Sequence, residues 1–307
     1  MTEPSLLLLI PAYNEERRIE PVLREYVTYF QKEYRGKFSL VIVLNGCRDN
    51  SLQVVQRVAA GSPVIRILEF PDPIGKGGAL IEGLKLAQLG ELIGYVDADG
   101  ATPPHAFHDL VRRMGDADCA IGSRWMRESV LHVEQTGQRR FASRMFHRIV
   151  EFFFRLHIKD TQCGAKVMRR EAIEKVHSHL RIADMAFDIN LLYALKREGF
   201  RIVEIPTEWT DKVGSKVSLG RTSLVMLLSV IRLRLVYSPI YPMLRPLRPL
   251  EGWIYTRLHA PQPLPNPNTK EKEEQKEGSA KSESGKTSPA TPPVKPGDGE
   301  NKTGSKG

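Results

Sequence analysis

The chain has 307 residues, 41% of them hydrophobic and 26% charged, which is typical of a globular protein. Its formal net charge of +9 is compatible with an anionic ligand, such as a phosphorylated molecule or an acidic lipid, but does not by itself indicate one. Cys47, Cys119 and Cys163 are too scattered for a thiolate metal site or a secreted disulfide framework, which favours a reducing cytoplasm.

Apolar runs and helical repeats alternate along most of the chain. Strands are predicted at 6–10, 40–44, 64–68, 92–96, 119–121 and 202–205. Helices are predicted at 16–34, 51–60, 77–89, 104–114, 142–156, 170–179, 188–198 and 223–237. This alternation predicts an α/β fold, with one mostly parallel central sheet covered by helices.

Composition divides the chain into three parts. Residues 1–220 carry the α/β pattern and are predicted to form one domain, and residues 221–260 form an amphipathic segment. Residues 261–307 are rich in Pro, Lys, Glu, Ser and Gly and are expected to be disordered. This tail holds eight lysines against seven acidic residues, so the excess positive charge belongs to residues 1–260.

Two carboxylates, Asp97 and Asp99, follow the fourth predicted strand. Residues i and i+2 of an extended segment point to the same side, so the pair can hold one Mg²⁺ or Mn²⁺ ion and leave positions for diphosphate oxygens. Such a pair is also common in turns and caps, and Gly100 fits that alternative. Polar or glycine-rich loops follow three other strands, and they favour the metal interpretation because ligands bind beyond the carboxyl ends of parallel strands.

Two cationic residues stand near the same predicted edge. Lys76 lies in a glycine run at a predicted helix start, where ammonium and backbone N–H groups favour phosphate binding; a plain glycine turn is the alternative. Arg124 follows the fifth strand and can hold a diphosphate through two hydrogen bonds, and an ordinary surface arginine is the alternative.

Four motifs in this order resemble a known family. They are Pro11-Ala12-Tyr13-Asn14-Glu15, Asp97-Ala98-Asp99, Gly122-Ser123-Arg124 and Asp160-Thr161-Gln162-Cys163-Gly164. Over about residues 5–240 the chain resembles the family 2 glycosyltransferases of GT-A fold. The strings DADGAT (97–102), DTQCG (160–164) and EIPTEW (204–209) look most like polyprenyl-phosphate hexosyltransferases, and among these the dolichyl-phosphate β-glucosyltransferase branch.

The resemblance implies inverting transfer of a hexose from a nucleoside diphosphate sugar, with Mg²⁺ or Mn²⁺ held by Asp97 and Asp99. It places the nucleotide-sugar at Pro11, Ala12, Tyr13, Glu15, Val43, Asn45, Lys76, Asp97, Ala98 and Asp99. Asn45 stands where the family commonly has an aspartate that contacts the base. Ala101 stands where mannosyl-transferring relatives often have a glutamine ligand, which favours UDP-glucose over GDP-mannose.

Two classes of acceptor remain open. A phosphate monoester is largely ionised near neutral pH and attacks without a base, so its enzyme needs cations instead. The predicted catalytic residues are Asp99, Asp188, Arg124 and Lys216, and the predicted acceptor-binding residues are Arg139, Arg140, Gln162, Lys212 and Lys216. The alternative acceptor is a hydroxyl of a soluble or saccharide molecule, with Asp188 as general base. Asp188 also suits a helix N-cap.

Residues 223–237 repeat leucine and isoleucine at helical spacing, with Arg232 and Arg234 among them. This pattern suits a helix lying on an anionic membrane surface, and a core-packing helix is the alternative. We expect a polyprenyl-phosphate acceptor and peripheral association with the cytoplasmic face of a membrane. We expect no spanning helix, because no apolar stretch reaches roughly 18 residues. No nucleic-acid-binding motif is present, so we expect no nucleic acid partner.

Overall fold

The computed structural model describes residues 3–132, 137–182, 184, 186–210 and 219–238. The side chains of residues 137–142 and 219–225 are not described. Two predicted site residues, Lys212 and Lys216, lie outside the described residues. The same holds for residues 239–260 of the predicted amphipathic segment and for the tail 261–307.

Strands and helices alternate nearly as predicted. The strands are β1 (Leu6–Ala12), β2 (Phe38–Asn45), β3 (Ile65–Phe70), β4 (Leu92–Tyr95), β5 (Cys119–Ser123), β6 (Val130–Leu131), β7 (Lys166–Arg169), β8 (Ile202–Pro206) and β9 (Glu208–Trp209). The helices are α1 (Ile19–Glu33), α2 (Ser51–Ala60), α3 (Gly75–Leu84), α4 (Pro104–Arg113), α5 (Gly137–Phe154), α6 (Arg170–Val176), α7 (Phe187–Arg197) and α8 (Leu219–Val236). Short 3₁₀ turns follow α3 and α6, where longer helices were predicted.

Seven strands form one sheet in the order β3-β2-β1-β4-β7-β5-β8, and β6 pairs with β9 in a separate two-stranded sheet. β7 runs antiparallel to its neighbours β4 and β5, while the other pairings in the large sheet are parallel. The predicted α/β fold with a mostly parallel sheet is confirmed. The sequence pattern missed β7, because its four residues include Lys166 and Arg169 and show no apolar run.

Both faces of the sheet are covered, which explains the continuous apolar run of β1. Leu7 and Leu9 point into a core that includes residues of α3, α6 and α7, whereas Leu6 and Leu8 point into a second core with residues of α1, α2 and α4. Each fully buried leucine of this kind contributes roughly 1.5–3 kcal/mol. The two cores fix the strand ends, and therefore the loops that follow them, in place.

Helix α8 is apolar on two sides. Val230 and Leu233 are buried in the core that also holds residues of α5 and α7, so α8 packs on the folded body. The division of the chain at residue 220 stays a prediction. Leu228, Ile231 and Leu235, which belong to the predicted apolar repeat, are exposed instead. None of the helices described here is long and apolar enough to cross a bilayer.

Candidate active site

The strand ends bring the predicted motifs together at one edge of the sheet. β1 runs parallel to β2 and to β4, and β5 has the same direction because two antiparallel pairings with β7 separate it from β4. The loops after Ala12, Asn45, Tyr95 and Ser123 therefore leave the sheet at the same rim. This rim is where an α/β sheet binds its ligands.

Asp97 and Asp99 lie in the loop after β4. The strand ends at Tyr95, and Ala98 and Asp99 form a turn that is followed by Gly100 with φ +70°. The Asp99 carboxylate accepts a hydrogen bond from the Ala101 N–H (2.9 Å), and the Asp97 side chain is 37% exposed. Burial raises the pKa of Asp99, and the neighbouring charge of Asp97 raises it further. The two negative charges therefore repel each other at the rim.

Lys76 supplies a cation beside this pair. It is the second residue of α3, and its Nζ lies 2.6 Å from Asp97 Oδ1 and 4.0 Å from Asp188 Oδ2. Burial acts to lower the pKa of Lys76, but the charges of Asp97 and Asp188 outweigh it and the pKa is raised. Lys76 is therefore a permanent positive charge that links the Asp97–Asp99 loop to α7.

Asp188 lies beneath the rim in a buried polar network. Its Oδ1 accepts hydrogen bonds from Lys166 Nζ and from the Tyr95 hydroxyl, both at 2.5 Å, and Lys166 Nζ also donates to the Cys163 carbonyl at 2.6 Å. Burial acts to raise the pKa of Asp188, but the charges of Lys166 and Lys76 outweigh it, and the pKa is lowered. The N-cap alternative was wrong, because Ala186 caps α7 and Asp188 lies in its first turn.

Arg124 is held in one orientation by Asp160. Its Nε and Nη2 bond the two Asp160 carboxylate oxygens at 2.7 and 2.9 Å, and its backbone N–H donates to the same carboxylate. The guanidinium carbon lies 5.2 Å from the ring centre of Trp209, in a cation–π contact. Arg124 is therefore not the ordinary surface arginine of the alternative interpretation. Its Nε and Nη2 donate to Asp160 rather than to a ligand.

The predicted nucleotide-binding residues divide into exposed and buried ones. Tyr13 is exposed, and Glu15 pairs with Arg18 through two bonds of 2.7 Å. Burial raises the pKa of Glu15, although its partner Arg18 acts to lower it. The charge of Asp99 also raises the pKa of Glu15, which means that Glu15 lies near the carboxylate pair at the rim. The side chains that are buried in or beside the cores are Pro11, Ala12, Val43 and Ala98. Val43 packs in the core that includes residues of α3, so its side chain does not reach the rim.

Asn45 ends β2 and faces the start of α3. Its Oδ1 accepts a hydrogen bond from the Ile74 N–H at 2.6 Å. A backbone N–H only donates, so the side-chain atom opposite must be the oxygen, and the remaining amide nitrogen is a donor. An aspartate at this position would present a second acceptor instead.

Gln162 and Ser123 carry buried polar atoms on the segments that flank Arg124. Gln162 Nε2 and Ser123 Oγ have no hydrogen-bond partner among the described residues. A buried donor without a partner is costly, which is a reason to expect a ligand oxygen beside it. Arg139 and Arg140 lie in the first turn of α5, but their side chains, like all of Lys212 and Lys216, are not described.

The sequence analysis assigned no site role to several residues that shape this site, although two of them lie in the motifs of the family resemblance: Arg18, Tyr95, Asp160, Lys166 and Trp209. A signal was available for Lys166, because a charged residue within a short apolar segment that enters a sheet needs a buried partner. Nothing in the sequence identified that partner as Asp188, which lies 22 positions along the chain.

The rim suits a divalent cation that is shared with a phosphorylated ligand. Within the described part of the chain, no group of three or more His, Cys, Asp or Glu side chains is placed to hold a metal. Gly164 leaves room for the Asp97 carboxylate, because a Cβ there would lie 2.0 Å from Asp97 Oδ2. Mg²⁺ is commonly bound by one or two carboxylates together with substrate phosphates. Asp97 and Asp99 fit that type of site.

Comparison with known proteins agrees with this arrangement. The family model described as "Glycosyl transferase family 2" matches residues 8–177, more than half of the chain. The chain belongs to glycosyl transferase family 2. The predicted family is therefore confirmed, and this family 2 chain is a glycosyltransferase.

Curated relatives cover most of this transferase at about 30% identity. "Glycosyltransferase AglD" of Haloferax volcanii is 33% identical over 228 residues, which are 73% of this chain and 36% of that protein. "Dolichyl-phosphate beta-glucosyltransferase ALG5C" of Trichomonas vaginalis is 32% identical over 69% of this chain and 66% of that protein. The Dictyostelium discoideum "Dolichyl-phosphate beta-glucosyltransferase" is 30% identical over 76% of this chain and 74% of that protein. The chain thus spans about a third of the archaeal relative and two thirds to three quarters of the other two. The predicted resemblance to this branch is confirmed.

Solved structures share the fold. Glucosyl-3-phosphoglycerate synthase from Mycobacterium tuberculosis, in complex with Mn²⁺, UDP and phosphoglyceric acid, has a TM-score of 0.57 and 17% identity over 75% of this chain and 78% of that one. The same enzyme with Mn²⁺, UDP-glucose and phosphoglyceric acid gives a TM-score of 0.56 at 17% identity, over 77% of this chain and 82% of that one. At this identity the likeness concerns the fold, and it confirms the predicted GT-A-like architecture.

Proposed function

We propose that this transferase moves glucose, with inversion, from UDP-glucose to a polyprenyl phosphate, with Mg²⁺ or Mn²⁺ bound by Asp97 and Asp99. The observation that carries the proposal is the cluster of Asp97, Asp99 and Lys76 at the carboxyl ends of the strands. Relatives named as dolichyl-phosphate β-glucosyltransferases support this donor sugar and this acceptor class. In the reaction, an acceptor phosphate oxygen bonds to the anomeric carbon, and UDP leaves with the electrons of the broken C–O bond.

The environment of Asp188 favours a phosphate acceptor over a hydroxyl. A hydroxyl acceptor requires a base whose pKa lies near the working pH. Asp188 is buried, already accepts two hydrogen bonds, and has a lowered pKa, which are the properties of a poor base. A phosphate monoester needs no base. We assign Asp188 the role of holding Lys76 and Lys166, so the alternative of a soluble or saccharide acceptor has less support.

Charge neutralisation is the chemistry that the rim supplies. Two anionic reactants and a leaving diphosphate must be brought together, and fixed cations lower that barrier. Lys76 is one such cation. Arg124 is bonded to Asp160 and so holds the segment that carries Gln162. A divalent ion between Asp97 and Asp99, when bound, adds further positive charge at the diphosphate. Arg139, Arg140, Lys212 and Lys216 remain predicted acceptor-binding residues.

Radiolabel transfer tests this function directly. The full chain is incubated with UDP-[¹⁴C]glucose or GDP-[¹⁴C]mannose, a polyprenyl phosphate and MnCl₂ or MgCl₂, and label in the organic phase is counted. We expect label from UDP-glucose and its loss when EDTA is added. Label that remains in water-soluble saccharides would contradict the lipid acceptor, and label from GDP-mannose alone would contradict the donor.

Base recognition gives a second prediction. We expect Asn45→Asp to weaken UDP binding by about 10- to 100-fold, because a donor toward the base becomes an acceptor and one base carbonyl loses its partner. The bond to the Ile74 N–H survives in the aspartate variant, but residue 45 is buried, so the added carboxylate should lower the melting temperature without nucleotide, and affinity is measured well below that temperature. Isothermal titration with UDP measures the affinity. Unchanged affinity would show that residue 45 does not read the base.

Peripheral membrane association completes the proposal. A polyprenyl phosphate is a membrane lipid, and the described part of this transferase holds no helix able to cross a bilayer. We propose that the chain works at the cytoplasmic surface of a membrane, with residues 221–260 as one contact.

A further inference from the structure

Helices α5 and α8 pack side by side and share an exposed surface that is both apolar and basic. We call it the α5–α8 face, and its members are Met145, Arg148, Phe152, Arg155, Leu228, Ile231, Arg234 and Leu235. Along α5, Met145, Arg148 and Phe152 are three and four residues apart and therefore lie in one stripe, and Arg155 follows the end of the helix. Phe152 is 79% exposed, which is unusual for a large aromatic side chain. Phe152 and Leu235 line one cavity together with Arg155 and Arg234, and exposed apolar surface of this kind is typical of an interaction site.

The charge of this face is one-sided. The two helices hold seven arginines and one acidic residue, Glu151. Glu151 is already paired with His157 at 3.0 Å. Within the described part of the chain, neither Arg155 nor Arg234 forms an ion pair with an acid, so both guanidinium groups are available to an anionic partner.

A cavity of about 620 Å³ lies where the two helices meet. Its walls include Phe152, Phe153 and Tyr193, and Arg155 and Arg234 also line it. Aromatic walls beside two arginines match a molecule with an anionic head and an apolar body. A phospholipid has this chemistry, whereas a soluble phosphate would leave the aromatic surface uncovered.

We propose that the α5–α8 face docks this protein on a membrane leaflet that contains anionic lipids. Exposed apolar side chains, Phe152 foremost, enter the interfacial layer, and Arg148, Arg155 and Arg234 pair with lipid phosphates. This inference rests on the proposed function only for the reason why the protein would bind a membrane. The exposed residues of the α5–α8 face are observed independently of that function. It adds α5, whose pattern alone did not indicate a membrane contact, to the C-terminal segment.

Vesicle sedimentation tests the inference without donor or acceptor. The full chain is mixed at low salt with vesicles of phosphatidylcholine alone or with about 30% phosphatidylglycerol. We expect binding to the anionic vesicles, weaker binding as salt rises, and little binding to the neutral ones. Arg155→Gln with Arg234→Gln should lower the partition coefficient about 25-fold, which is about fivefold for each arginine near an anionic surface. Phe152→Ser should lower it by a similar factor.

Matched controls lie elsewhere on the chain. Arg113→Gln changes an exposed arginine of α4, which packs in the other core, and Leu89→Ser changes an exposed leucine of the turn after α3. Both controls should bind vesicles like the unchanged protein. Equal binding by the double arginine variant, or no binding to anionic vesicles by the unchanged protein, would overturn the inference. The inference would also be overturned if the unchanged protein formed a dimer that Phe152→Ser dissociates and did not bind vesicles. The face would then be assigned to a second copy of the chain.

The same variants separate this inference from the proposed function. With a short-chain, water-soluble polyprenyl phosphate and UDP-glucose, the double arginine variant should keep the unchanged transfer rate. If the unchanged protein transfers glucose but does not bind anionic vesicles, only the docking face is rejected. Vesicle binding without any transfer would reject only the proposed reaction.

Discussion

Replacing Asp99 with asparagine should lower kcat/KM for UDP-glucose by about 100- to 1000-fold, the range seen when one preorganised electrostatic group is removed from an active site. The fold should not suffer. The pKa of Asp99 is raised by burial and by Asp97, so the ionised carboxylate costs stability at neutral pH, and a neutral amide relieves that cost. The asparagine Oδ1 still accepts the Ala101 N–H. We therefore expect a melting temperature equal to or above that of the unchanged protein.

This combination distinguishes a functional carboxylate from a structural one. Transfer is measured by label in lipid, stability by thermal melting, and metal binding by the additional rise in melting temperature when MnCl₂ is added to the UDP complex. Asp99→Asn should lose that additional rise. Asp116→Asn, at an exposed position on the loop after α4, is the control and should change none of the three. An active Asp99→Asn variant would remove the carboxylate pair from the proposed mechanism.

Replacing Lys166 with methionine should lower the free energy of unfolding by about 3 kcal/mol, the lower end of the range for breaking a buried pair, because Asp188 loses its partner at 2.5 Å and keeps only Lys76 at 4.0 Å. Lys166 has no exposed side-chain surface, and it bonds both Asp188 and the Cys163 carbonyl. Urea unfolding measures the change through the midpoint, provided that the slope is unchanged. Lys85→Met removes an exposed lysine from an i,i+3 pair with Glu82 and should cost less than about 0.5 kcal/mol.

Adding Asp188→Asn to Lys166→Met should restore part of the lost stability, since removing both charges of a buried pair is far less costly than removing one. The deficit of the single variant should also depend on pH. Ionised Asp188 has a lowered pKa in the unchanged protein, so it contributes stability above the ordinary carboxyl range and loses it as the pH falls through the lowered value. Without Lys166 the pKa of Asp188 rises, and protonation removes a charge that Lys76 alone, at 4.0 Å, compensates only in part.

The deficit of Lys166→Met should accordingly be largest near neutral pH and shrink as the pH falls toward the ordinary carboxyl pKa of about 3.9. The Lys166→Met, Asp188→Asn protein has no carboxyl group at this position and should not show this dependence. A deficit of the same size at every pH would mean that Lys166 stabilises the fold by packing and by its bond to Cys163, and not by charge.

The sequence alone determined the α/β architecture and the rim, because both depend on local patterns. The run at Leu6–Ala12 requires a strand covered on both faces, and the helical repeats supply the covers. Parallel strands bring their carboxyl ends to one edge of the sheet. The sequence alone therefore placed four residues at one site: Asn45, Lys76, Asp97 and Arg124. The motif set was also sufficient to predict the family.

Only the tertiary structure decided which charges meet. Lys166 belongs to the antiparallel strand β7, which the apolar pattern did not predict, and its partner Asp188 belongs to α7, beyond α6 in the chain. Arg124 was predicted at the rim, but its pairing with Asp160 depends on two segments that approach each other only in the fold. Likewise, α8 has apolar residues on two sides, and packing against the core decided that Leu228, Ile231 and Leu235 are the ones left exposed. Pairing between distant residues depends on how the cores pack, and that information is not contained in any local stretch of the chain.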